Sequence, residues 1–98
     1  MAIQAKQLAA NVVLAHKAGR VLAVTFTGNP KKATVTFATA FPDTNYAVNL
    51  TPVTLNEKIF TPQVETQLAG SFVINLGTNK TSDLTQVNWA AIEFGESA

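Results

Sequence analysis

The side chains able to do chemistry are few in this sequence of 98 residues. His16 is the only imidazole, and the carboxylates Asp43, Glu57, Glu65, Asp83, Glu93 and Glu96 lie scattered along the chain. An enzyme needs a nucleophile beside a base, a pair of carboxylates sharing a cleft, or a metal. Here a carboxylate pair would have to be assembled by folding alone. There is no cysteine, and one histidine cannot build a metal site by itself. The five glycines stand singly at turn positions, so no phosphate-cradling loop is present. These residues point to a protein that is not an enzyme and carries no metal or cofactor, with His16 a packing or surface residue.

Binding is better supplied. Asn, Thr and Gln at strand ends can hydrogen-bond sugar hydroxyls while an aromatic face packs on the ring, and Tyr46 and Trp89 are the aromatics with a polar handle. For Trp89 the competing reading is an anchor in the core or at a subunit contact. Asn49-Leu50-Thr51 and Asn79-Lys80-Thr81 match the N-glycosylation pattern, but abundant Asn and Thr make such matches by chance.

Charge is unevenly placed. Lys6, Lys17, Arg20, Lys31 and Lys32 occupy residues 1–32 with no acid, whereas residues 33–98 hold two lysines and all six acids. The asymmetry reads either as a basic docking arm seeking an acidic neighbour or as the chance distribution of thirteen charges. The basic residues are spaced out with no aromatic platform among them, which argues against nucleic acid.

The elements that must position these groups belong to one domain. Of the residues, 47% are hydrophobic and only 13% charged, a charge content about half the usual and suited to a subunit partly covered by copies of itself or by a larger assembly. No uncharged apolar run reaches the ~18 residues that span a bilayer, and no secretion signal is apparent, so synthesis in a cytoplasm is expected. Residues 1–19 are expected to form an arm, extended or briefly helical to about Asn11 and passing into strand after it. A hairpin turning at Lys17-Ala18-Gly19-Arg20 is the alternative reading.

From residue 20 onward the hydrophobic period is two. Leu22, Val24 and Phe26 read as one strand face, followed by a turn at Thr27-Gly28-Asn29-Pro30. Ala33, Val35 and Phe37 form the next face, then Tyr46, Val48 and Leu50 up to Pro52. An edge strand near residues 58–61, a short strand within 64–68, Phe72-Ile74-Leu76 and Val87-Trp89-Ala91 complete the series. Short strands at near-regular spacing predict an all-β fold, a small antiparallel β-sandwich over residues 20–98.

Three strand texts carry a family likeness. ATVTFATAFPDTNYAVNLTP, GSFVINLG and LTQVNWAAIEFGE, in that order, resemble domains of bacteriophage tail and fibre proteins, and the arrangement is similar to the H-type lectin fold. IQAKQLAANVV resembles the connectors that precede such domains in long fibres, and with Met1 just before it no shaft is expected. The resemblance implies a homotrimer in which Val87, Trp89 and Ala91, the VxWxA strand, lie near the subunit contact. It implies a non-enzymatic virion protein that reaches the particle after synthesis in a bacterial host, with other virion proteins as partners. Two mechanisms follow. As a receptor-binding fibre tip, the protein would meet an outer partner, a cell-surface glycan among the candidates, through loops carrying Asp43, Asn45, Tyr46, Lys58, Asn79, Lys80 and Asp83. As a capsid decoration protein, it would clamp the shell through the basic arm, Lys6, Lys17, Arg20, Lys31 and Lys32.

Overall fold

A computed structural model describes residues 16–95. Six strands follow one another: β1 (His16–Leu22), β2 (Lys32–Thr36), β3 (Tyr46–Thr54), β4 (Gln63–Glu65), β5 (Ser71–Asn75) and β6 (Leu84–Glu93). They form two three-stranded antiparallel sheets, ordered β1-β6-β3 and β2-β5-β4. Sheet A is β1-β6-β3 and sheet B is β2-β5-β4.

Alternation decides which faces meet. In β2, Ala33 and Val35 are buried while Thr34 and Thr36 are exposed, and β5 buries Phe72 and Ile74 opposite them. In sheet A the inward rows are Val21-Val87-Pro52, Gly19-Trp89-Leu50 and Lys17-Ala91-Val48. Phe72, Ile74, Val87 and Ala91 are 0% exposed. Burying a large aliphatic or aromatic side chain contributes about 1.5–3 kcal/mol, so this double layer is the main stabilising term.

Five rings knit the layers together. Phe37 sits among Phe41, Tyr46, Phe72 and Trp89 with centroids 5.1, 5.6, 5.8 and 5.8 Å away. Phe41 stacks on Tyr46 at 4.4 Å, and Phe72 of sheet B meets Trp89 of sheet A edge-on at 5.5 Å. Tyr46, at the start of β3, donates its hydroxyl to the Leu68 carbonyl at 2.6 Å and lies 3.2 Å from that of Ser71, stitching sheet A to the loop that opens β5. Burial pushes its phenol pKa up.

Three local expectations change. Lys17-Ala18-Gly19-Arg20 is the middle of β1, paired residue by residue with β6, and makes no turn. Strand structure thus begins at His16, inside the stretch expected to be arm, and residues 1–15 lie outside the described part. Leu22, Val24 and Phe26 do not share a strand face: Ala23–Thr25 is a 3-10 turn, Val24 is 88% exposed and Phe26 is buried. The chain must pass from sheet A to sheet B here, and tight winding between two extended residues does so. The expected edge strand near 58–61 is a loop, and the short strand that follows is β4.

The sandwich has two distinct ends. Where β1 starts, β6 finishes and β3 starts, the near end collects residues 37–45 and 66–70, and the described chain both enters and leaves there. The far end collects residues 23–31, 55–62 and 76–83. Asp83 binds both Leu55 and Asn56 there, and Lys31 exchanges backbone bonds with Thr78 and Leu76.

Candidate interaction surfaces

The two ends divide the loop residues expected to meet an outer partner. Asp43 and Asn45 lie at the near end, where the Asp43 carboxylate accepts the Asn45 N–H at 2.8 Å. Lys58, Asn79, Lys80 and Asp83 lie at the far end, Lys58 with its ammonium 5.8 Å from the Phe60 ring centre and Asp83 accepting the Asn56 amide at 2.9 Å. The two groups therefore lie at opposite ends of the sandwich. Tyr46 does not belong to either surface. It is 1% exposed, and its hydroxyl is committed to backbone carbonyls.

Two of the three residues expected near a trimer contact face the core. Val87 and Ala91 are wholly inside the protomer, so their side chains offer nothing to a neighbouring subunit. Trp89 is partly buried on the same inner face, between Phe37 and Phe72 on one side and Gly19 on the other. An ideal Cβ at Gly19 would stand 3.0 Å from the indole Cζ2 and 3.1 Å from Cε2 and Nε1. Glycine here lets the indole lie across the neighbouring strand and cover its backbone.

Most basic residues of the expected arm have work within the protomer. The Lys17 ammonium stands 4.9 Å from the Phe41 ring centre and 5.6 Å from that of Phe37, an attraction to the negative ring faces. Arg20 donates to the Gln86 side chain at 3.1 Å on the outer face of sheet A. Lys32 donates to Glu65 at 2.7 Å, reaching across β5. Asn75 completes that brace from below at 3.0 Å. The Lys32 hydrogen bond, then that from Asn75, holds the Glu65 carboxyl below its usual range. Lys31 is half-buried at the far end, and Lys6 lies outside the described residues.

Two hollows border β2. A cleft of about 450 Å³ opens between β1 and β2, lined by Gly19 to Leu22, Thr25, Thr34, Val35 and Trp89. A more polar groove of about 370 Å³ lies on the outer face of sheet B around Thr25, Thr27, Thr34, Lys32 and Glu65. Neither gathers carboxylates: among the described residues no group of three His, Cys, Asp or Glu side chains stands close enough to hold a metal ion. Nor is any helix among them long and apolar enough to cross a membrane.

Sequence reasoning passed over the exposed apolar side chains. Val24 is 88% exposed, Ile59 83% and Leu55 59%, all in far-end segments, and Leu22 and Val53 flank Gln86 in the adjoining row of the outer face of sheet A. Leu68, Ile92 and Phe94 are the exposed apolar residues of the near end. In the text Val24 continues a strand-like alternation, and only the 3-10 turn turns it outward. Ile59 precedes the buried Phe60, and their order alone does not reveal which faces in.

No known protein family, curated protein or solved structure matches this chain.

Proposed function

We propose that this protein is a non-enzymatic structural and interaction module of a bacteriophage particle, a fibre-tip-like recognition domain that works as a homotrimer. The observation supporting this reading is the polarity of the sandwich. The described chain enters and leaves at the near end, while the far end presents Val24, Leu55 and Ile59 beside Lys58, Asn79 and Lys80. A tip needs this division, with attachment at one end and an accessible, mixed apolar and polar surface at the other. A cell-surface glycan or envelope protein of the bacterial host is the class of partner such an end would meet. Subunit contacts in this reading use the outer surface of the sandwich, since Val87 and Ala91 are spent inside it.

The test is binding of the recombinant protein to host cells and to a glycan array. The double variant Val24→Asp/Ile59→Asp should lose binding while keeping its near-ultraviolet circular dichroism, because both side chains project into solvent. Wild-type protein that binds neither cells nor glycans would overturn the tip reading.

Capsid decoration is the second reading, favoured by a separate observation. Residues 16–36 form one side of the sandwich and carry Lys17, Arg20, Lys31 and Lys32 without an acid. Deleting residues 1–15 leaves β1 intact, and particles that still incorporate the shortened protein would count against docking through the arm.

A further inference from the structure

The cationic side of the sandwich is also its open side. Among the described strands, β1 has β6 as its neighbour and β2 has β5, so each presents a second edge without a strand on it, and the 450 Å³ cleft opens between these two strands. An edge strand displays backbone N–H and C=O groups that can pair with an added extended chain.

The four edges are not equivalent. β3 carries Pro52, which has no N–H to give, and a register irregularity between Val53 and Thr54. β4 has three residues, and β2 has five, with Lys32 tied to Glu65. β1 runs seven residues in unbroken register with β6 and contains no proline. It is the longest regular edge left unblunted among them.

We propose that the β1 edge is a docking site for an extended acidic segment of a partner protein, which adds a strand to sheet A and closes the cleft. Side chains of an added strand alternate between the two faces of the sheet. Those pointing inward would enter the cleft over Val21, Val35 and Trp89, and must be apolar. Those pointing outward would stand beside the outer row of β1, His16, Ala18, Arg20 and Leu22. Arg20 is the cross-strand neighbour there, and residues 16–36 hold four basic residues and no acid, so charge complementarity selects glutamate or aspartate at the outward positions. The partner is thus a strand that alternates apolar and acidic residues, whether it belongs to a virion neighbour or to a host protein. The inference stands on the edge and the cleft, and holds for either reading of the protein's place on the particle.

Trp89 is the only tryptophan, so its emission reports the cleft directly. The experiment titrates the full-length protein at low salt with an eight-residue peptide alternating valine and glutamate, beside one alternating valine and lysine. The glutamate peptide should shift Trp89 emission and slow amide exchange along β1, and the lysine peptide should not. Arg20→Glu, an exposed change, should weaken binding by roughly tenfold, and added salt should weaken it in the wild type. Lys58→Glu at the far end should leave it unchanged. Equal binding of both peptides, or an emission and β1 exchange unmoved by the glutamate peptide, would overturn the proposal. So would a homodimer joined through β1 that the peptide fails to dissociate, since a second copy would then be the occupant.

Discussion

Replacing Gly19 by alanine tests the account of Trp89 most directly. The new methyl would lie 3.0 to 3.1 Å from three atoms of the indole, against the ~3.5–4.0 Å at which carbon atoms rest in contact. The ring cannot retreat freely, because Phe72 meets it at 5.5 Å and Phe37 at 5.8 Å on the side away from β1. Overpacking of this kind costs about 1–3 kcal/mol. Alanine recovers about 0.5–1 kcal/mol by restricting the unfolded chain and suiting a strand better than glycine. At their midpoints the two effects leave a net loss of about 1.2 kcal/mol, a fall in Tm of about 5–10 °C for a domain of this size. Gly70→Ala is the control, since its Cβ would meet only the Ala40 Cβ at an ordinary 3.7 Å. Thermal unfolding followed by circular dichroism and by Trp89 emission measures both variants. A Gly19→Ala protein as stable as wild type, or no less stable than Gly70→Ala, would refute the packing argument.

Two further expectations concern pH. Tyr46→Phe should cost about 1–2 kcal/mol, because the carbonyls of Leu68 and Ser71 lose a buried donor. The folded phenol pKa is raised, so its contribution is complete below the unfolded value and is lost as pH rises through the folded one; denaturant melts across alkaline pH should show a shallower decline in the phenylalanine variant. The Glu65 carboxyl is shifted the other way. Its contribution is present above the unfolded pKa and disappears as pH falls through the lowered folded value, so Glu65→Gln should flatten the acid limb of the stability profile, and a limb unchanged by the substitution would show the brace to be idle. With Lys32 and Glu65 both more than a third exposed, salt should screen much of that difference.

The strands whose one face is buried and whose other face meets water were legible in the sequence. Thr34 and Thr36 against Ala33 and Val35, or Ala47 and Asn49 against Tyr46 and Val48, announce their faces by side-chain type alone. The unbroken run of β1 through residues 17–20 was not legible, because Lys17, Gly19 and Arg20 are turn-like or charged when read one at a time. Gly19 suits a strand only because Trp89, seventy positions later, lies against it, and Lys17 tolerates an inward position only because Phe37 and Phe41 offer their faces. Such long-range compensation has no local signature. The same holds for the surfaces. Charge asymmetry marked the basic residues, but their engagement with rings, Gln86 and Glu65 depends on the sheet registers, as does the inward aim of Val87 and Ala91.

The shared location of the points where the described chain enters and leaves bears on how copies behave when joined. His16 begins the edge strand beside the last residues of β6, so a short peptide link between successive copies would connect neighbouring near ends. A tandem built this way fans out with every far end directed outward, in contrast to the beads-on-a-string line produced by domains whose termini lie at opposite poles. Weak single contacts at Val24, Leu55 and Ile59 would then act in concert against one surface, with an avidity set by linker length and no change to any contact.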